Sequence, residues 1–292
     1  MFEMFCEETG LRGDVRLAME RSYREHQDLP LRRSAIQACF RQDQEALSTV
    51  LSQGLDWYGP VYPLVLLGLC HEIIRQFYPD ETIRRETLSD IAVWESWYER
   101  RHGTIGLDRV GWVVRHACGH IWRLGRLQFE WGRYPFSQVI NRDKDGRYHV
   151  TDTPLPDLTV VGKPGMDAVR IHIPQGGPLL PSEVDASLHR AASFFPWATI
   201  AVCDSWLLDP TLAHVCQDSP NIRSFQRRFT TFPIPQQGEP QIFERVFFFG
   251  ARREDVLSYQ CTTSLQRRIQ DAVRRGVTFR TTGGFVELVS PA

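Results

Sequence analysis

The feature that most constrains the fold of this chain is a change in hydrophobic period partway along it. From Met1 to about Trp131, apolar residues recur at three- and four-residue spacing and strict alternation is scarce, which predicts a helical lobe. Within it, a helix including Leu51 to Leu55 is expected to end at Gly54, and another to run from Tyr62 to Phe77 until Pro79 stops it. Asp80 and Glu81 open a third that closes at Gly103, and Leu107 to Phe129 reads as a fourth. Asn141 to Gly146 (NRDKDG) is a turn, and Pro154, Pro156, Pro164 and Gly165 then break any helix. Beyond this point Ala168 to Ile173 (AVRIHI) alternates as a strand does, and Trp197 to Cys203 is a continuous apolar run suited to a strand buried on both faces. A helix is expected over Pro181–Phe195 with Ser182 as its cap, and a shorter one over Asp209–Val215. Strands are expected over Arg228–Pro233, Ile242–Phe249 and Thr278–Val289, the last broken by Gly283-Gly284, with a helix over Ser264–Arg275. The pattern is α+β, with a helical N-terminal domain over 1–145 and a mixed-sheet C-terminal domain over 146–292.

At 292 residues the chain is long enough for two cores at roughly 150 residues each. A hydrophobic fraction of 42% with 24% charged residues excludes disordered and collagen-like classes. The formal net charge of -1 gives no reason to expect nucleic acid or an anionic membrane as partner. The seven cysteines are scattered with no C-x-x-C pair, which argues against a disulfide framework or zinc knuckle. The opening residues are acidic where a signal peptide is basic and apolar. Val61 to Cys70, the longest apolar stretch, contains Pro63 and falls short of the ~20 residues of a membrane span. A cytoplasmic protein is expected.

Several groups of residues could carry chemistry. Gly176 and Gly177, between Pro174 and Pro178, either stiffen a strand-to-helix connection or let an anionic cofactor approach the backbone ahead of a helix N-terminus. His172, at the end of the preceding strand, is a core or edge histidine or a general base. In Cys203-Asp204-Ser205-Trp206, Asp204 stands just after a buried strand: it is either a carboxylate raised in pKa beside Trp206, able to take a proton, or, with Ser205, a cap for the next turn. Asn221, Gln226, Arg227 and Arg228 offer amide and guanidinium donors to an anionic part of a substrate, or form a solvated basic face. His116 and His120 are four apart, but no H-E-x-x-H glutamate or third ligand accompanies them, and no metal is expected.

Four segments, Arg123–Glu130 (RLGRLQFE), Ile171–Ala186 (IHIPQGGPLLPSEVDA), Cys203–Phe229 (CDSWLLDP followed by NIRSFQRRF) and Thr263–Ile269 (TSLQRRI), resemble a family of bacterial acyltransferase-domain proteins with a helical N-terminal domain and a GNAT-like C-terminal domain. The resemblance implies that the second lobe is a GNAT-like mixed sheet with flanking helices. In that architecture the central strands splay, so Asp204 would face the cleft as the base, with Ser205 and Trp206 beside the substrate. Glu244 and Tyr259 resemble the glutamate base and tyrosine acid that GNAT enzymes often use. The implied reaction is acyl transfer to a small, polar, amine-bearing substrate in a cleft between the lobes. Acyl-CoA is the implied donor, yet the Q/R-x-x-G-x-G/A loop that holds its pyrophosphate is missing, and the nearest passage, CDSWLLDPTL, has no glycine; the expectation is therefore that CoA use is doubtful. Two alternatives follow: a GNAT-fold enzyme without CoA that closes a ring or displaces a leaving group in natural-product assembly, or a non-catalytic subunit of a complex. The aromatic and arginine content favours the subunit reading, and a homodimer or a hetero-oligomeric partner is left open.

Overall fold

The computed structural model describes residues 1–217, 219–235, 240–248 and 250–288. The chain forms two compact units, Met1–Glu130 with Ile173–Gln175, and Trp131–His172 with Gly176–Ala292. No helix among the described residues is long and apolar enough to cross a membrane.

The first unit is built from α1 (Glu3–Thr9), α2 (Gly13–Glu25), α3 (Leu29–Phe40), α4 (Gln44–Tyr58), α5 (Tyr62–Leu69), α6 (His71–Ile74), α7 (Glu81–His102) and α8 (Val110–Ala117). Aspartates open three of these helices: Asp28, Asp43 and Asp80 accept from the backbone N–H groups of Leu31, Ala46 and Ile83, satisfying donors that a helix start leaves unpaired. Six consecutive residues of α5, Tyr62 to Leu67, are buried, which makes it the central helix of the unit. Gly54 does not end α4. A Cβ there would lie 2.9 Å from the Tyr62 ring, so this glycine lets α5 approach, and α4 stops at Gly59, whose φ is +85°. The expected helix from Tyr62 to Phe77 breaks at Cys70.

The expected helix over Leu107–Phe129 is also corrected. Only α8 forms, Gly119 turns the chain at φ +67°, and a hairpin of β1 (Ile121–Arg123) and β2 (Gln128–Arg133) follows, with Trp122 opposite Phe129. Its dense apolar residues satisfy both periods, and pairing across the hairpin decided between them.

The second unit continues with β3 (Val139–Arg142), β4 (Tyr148–Thr151), β5 (Thr159–Gly162), β6 (Asp167–His172), α9 (Pro181–Phe194), β7 (Ile200–Ser205), α10 (Pro210–Val215), α11 (Pro220–Gln226), β8 (Thr230–Pro233), α12 (Pro240–Val246), α13 (Arg253–Ser258), α14 (Ser264–Arg274) and β9 (Thr282–Glu287). Its main sheet places β6, β7, β9 and β8 side by side, and β4, β3 and β5 form a small antiparallel sheet. Only β6 and β7 are parallel here, and α9 supplies the crossover that a parallel pair requires. One face of the main sheet buries Ala168, Ile200, Val202, Phe232 and Phe285 with Tyr134, Phe136 and Ile140. A second core gathers Leu212, Ile242, Phe243, Phe247, Ile269 and Val273.

Three further expectations change. Ile242 to Val246 belongs to a helix rather than a strand, because Ile242, Phe243 and Phe247 bury at helical spacing against α14 residues; Phe249 lies outside the described residues. Leu180 is the residue before α9, and Pro181 takes its first helical position, so Ser182 is not the cap. Gly283 and Gly284 lie within β9 instead of breaking it, and Val289 is outside the described residues. Gly283 is there because a Cβ would stand 2.6 Å from Ile234 Cγ2 and 2.8 Å from Phe232 Cε2. Gly283→Ala is therefore expected to cost about 1–3 kcal/mol of stability, read as a lowered urea midpoint with unchanged slope.

Candidate active site

β7 is paired with β9 at six positions, from Ile200 opposite Glu287 to Ser205 opposite Thr282. Its pairing with β6 covers only two, Val169 with Ala201 and Arg170 with Val202. Past that point the carboxyl ends of the parallel strands, Ile171 and His172 on one side and Cys203 to Ser205 on the other, have no registered partner across the pair. An unzipped parallel pair leaves room at the strand ends, where open α/β sheets take their ligands. Side chains alternate along a strand, so Arg170 and His172 share a face, and Val202 and Asp204 share the same one.

Arg170 Nη2 donates to Asp204 Oδ1 across 3.3 Å, with the two side chains 24% and 31% exposed. Asp204 Oδ2 is in no hydrogen bond among the described residues. Across β7 from Arg170, Asp204 faces Gly283 of β9, the glycine over which Phe232 and Ile234 close. This carboxylate thus stands where the apolar face of the sheet gives out, with a guanidinium on one oxygen. Cys203 points the other way and is buried. Burial, and next the Asp204 charge, push its thiol far up, which keeps it protonated and unreactive.

The turn after Asp204 is locked from several directions. Ser205 Oγ accepts from Leu207 N at 3.1 Å, so its hydroxyl is engaged in the turn. Trp206 N donates to Gln241 Oε1 of α12 at 2.7 Å, and the Trp206 ring packs against the second core. Gln226 Nε2 donates to the carbonyls of both Leu207 and Asp209 at 2.9 Å. Buried Asp209 accepts from Thr211 N at 2.9 Å to open α10 and from Arg280 N at 2.7 Å ahead of β9. Glu244 is half-buried, one turn past Gln241 on α12. Tyr259 follows α13, stacks on Phe248 and meets Phe247 edge-on, with its carbonyl taken by Gln270 Nε2 at 2.8 Å.

The glycine turn lies between β6 and α9. Gly176 is exposed at φ +144° with nothing within 4 Å of a Cβ position, and Gly177 is exposed at an ordinary φ. Arg228 grips the start of α9, donating to Asp185 Oδ1 at 2.6 Å and Oδ2 at 2.7 Å, to Pro181 O at 3.1 Å and to Ser224 Oγ at 2.8 Å. The Arg228 bonds hold the Asp185 carboxyl below the usual range. Arg227 is exposed with Nε on the Arg223 carbonyl, and Asn221 is half-buried on α11.

His116 and His120 do not share a helical face. α8 ends at Ala117, and His116 is buried with Nε2 3.5 Å from Asp90 Oδ2, while His120 lies past the Gly119 turn, where burial lowers its pKa against the pull of Glu130.

The structure thus brings Gln226, expected with Asn221, Arg227 and Arg228, to the turn after Asp204, Ser205 and Trp206, and adds Arg170 and Gln241, which were not among the candidates. Arg170 was legible only as the polar member of AVRIHI two residues before His172.

A parallel β6–α9–β7 unit that opens at its carboxyl ends beside a glycine turn defines an α+β protein with a mixed sheet and flanking helices. Residues 121–286 match the GNAT-like C-terminal domain and residues 2–119 the N-acyltransferase N-terminal domain. The chain belongs to the GNAT-like C-terminal domain family, with an N-acyltransferase N-terminal domain ahead of it. Among solved structures it is similar to an acyltransferase in complex with decanoyl-CoA and teicoplanin (27% identity, TM-score 0.59, covering 78% of this chain and 66% of that one). It is also similar to an acyltransferase in complex with CoA and 10C-teicoplanin (27%, 0.57, 78% and 66%) and to a mutant acyltransferase in complex with octanoyl-CoA (26%, 0.63, 87% and 76%). The chain spans just under two thirds of the length of the first two. None of the curated proteins compared matches it.

These complexes overturn the expectation that CoA use is doubtful, since structures resembling this chain hold CoA, octanoyl-CoA or decanoyl-CoA. The inference failed because anion binding by backbone N–H groups leaves no obligatory side-chain signature. A missing glycine motif therefore does not argue against CoA.

Proposed function

We propose that this protein transfers an acyl group from acyl-CoA to an amine, at the open carboxyl ends of β6 and β7. The observation that carries the reading is Asp204, placed past the last β6–β7 register pair with one carboxylate oxygen outside any hydrogen bond among the described residues. The support from outside the chain is its similarity to acyltransferases holding acyl-CoA. In this reading the amine nitrogen attacks the thioester carbonyl, the C–N bond forms as the C–S bond breaks, and Asp204 accepts the amine proton and returns it to the departing thiolate. His172 shares that face and is the second candidate for the proton. The backbone at Gly176 and Gly177 and the start of α9 would receive the anionic part of CoA, with Arg228 neutralising Asp185 nearby. Ser205, Trp206, Gln226 and Asn221 shape the wall beside the acceptor, and Arg227 is the exposed cation for its anionic groups. Glu244 and Tyr259 are lesser candidates for the proton steps. Because similar structures hold teicoplanin, natural-product amines are the acceptors to try first.

The test is calorimetric titration with CoA, octanoyl-CoA and decanoyl-CoA, followed by thiol release from decanoyl-CoA in the presence of teicoplanin and simple primary amines. Binding in the micromolar range and amine-dependent thiol release are expected. No heat with any of the three ligands would sink the reading.

A further inference from the structure

We infer that Arg170 is a positioning residue for acyl transfer: it fixes one oxygen of Asp204 so that the other is presented at the open strand ends. The inference rests on the role given to Asp204 above. Arg170 belongs to the last register pair of β6 and β7, opposite Val202, and its guanidinium reaches forward past that pair to Asp204 Oδ1 at 3.3 Å. Past the last β6–β7 register pair and opposite a glycine, which has no side chain to pack against it, the Asp204 carboxylate has several staggered rotamers open to it. The backbone of Asp204 is fixed by its pairing with Gly283, and the turn behind it by Ser205, Gln226 and Gln241, so the free variables are the Asp204 side-chain torsions. Arg170 acts on those torsions. Its backbone is held in the β6–β7 register opposite Val202, and a guanidinium is always charged and geometrically rigid at its tip.

Stability alone does not account for the pair. Both groups are partly exposed, and ion pairs of that kind add little to folding. Misplacing a reacting group by a fraction of a bond length, in contrast, is felt directly in turnover. Removing Arg170 should therefore change kcat much more than the melting temperature.

The experiment compares wild type, Arg170→Met, Arg170→Lys, Asp204→Asn and the Arg170→Met/Asp204→Asn double variant of the full chain, by thiol release from decanoyl-CoA with teicoplanin and primary amines as acceptors. Arg170→Met is expected to lower kcat by about tenfold, the scale for groups that orient a reacting residue, with KM for decanoyl-CoA unchanged within about twofold. Arg170→Lys should recover part of the loss by keeping the charge. The double variant should be no slower than Asp204→Asn alone, because a residue that acts through Asp204 has nothing left to position. A double variant slower by the full Arg170→Met factor overturns the inference, as does an Arg170→Met enzyme with wild-type kcat. If Arg170→Met does not fold, the same comparison with Arg170→Lys in both backgrounds decides. A wild-type protein that releases no thiol with any acceptor overturns the acyl-transfer reading and this inference with it, whereas an active wild type with unchanged Arg170 variants overturns the inference only.

Discussion

Asp204→Asn is expected to lower the turnover of acyl transfer by about 10²–10³-fold, within the range that a positioned proton acceptor contributes, while the melting temperature moves by less than about 4 °C. The substitution preserves size, and the asparagine carbonyl can still accept from Arg170 Nη2, so the local packing survives. What it removes is the basic carboxylate oxygen on the open side of β7. The turn that follows does not depend on Asp204, because Ser205 caps it and Gln226, Gln241 and Asp209 hold its carbonyls and N–H groups. Thiol release and a circular-dichroism melt on the same preparation check both halves. Full activity in the variant would leave Asp204 as one half of an ion pair with no part in the chemistry and would move attention to His172.

The largest effect on stability is expected at Glu8. This residue is 8% exposed on α1, yet accepts from Arg84 Nε at 3.0 Å, Arg84 Nη2 at 2.9 Å and His71 Nε2 at 2.8 Å, with Arg75 Nε 3.4 Å away. One carboxylate thus ties α1 to α6 and α7. Glu8→Ala leaves buried Arg84 and His71 without their partner, and breaking a buried ion pair from one side costs about 3–5 kcal/mol. That is a large fraction of the ~5–15 kcal/mol by which domains are stable. A urea midpoint within error of wild type would refute it.

The pH dependence at Glu8 has a definite sign. Burial pushes its pKa up, but the bonds from Arg84 and His71 outweigh burial and hold it below its ordinary value of 4.5. A group depressed in the folded state adds stability that is present above the unfolded value and is lost as pH falls through the folded one. Wild-type stability should therefore drop on acidification below about pH 4.5. Glu8→Ala should show a shallower drop over the same window.

Much of the architecture was legible because it rests on local chemistry. Asp80 ahead of α7 and Gly103 behind it bound that helix as their residue types require. AVRIHI and WATIAVC mark β6 and β7, and the helical spacing between them marks α9. Errors fell where one segment satisfied two periods, as in Leu107–Phe129 and Ile242–Val246, where neighbours decided. They also fell at glycines: Gly54 and Gly283 read as breaks, but each sits inside an element because another side chain occupies the place of its Cβ.

By itself the sequence determined that a helical first part gives way to a mixed sheet and that a glycine turn joins a strand to a helix, since periods of 3.6 and 2 and backbone freedom at glycine are properties of short stretches. Only the tertiary structure decided which polar groups meet. Arg170 and Asp204 are 34 residues apart, and Glu8 and Arg84 are 76 apart. Their pairing follows from strand register and helix packing, which place side chains by geometry across the chain and leave no periodic trace along it.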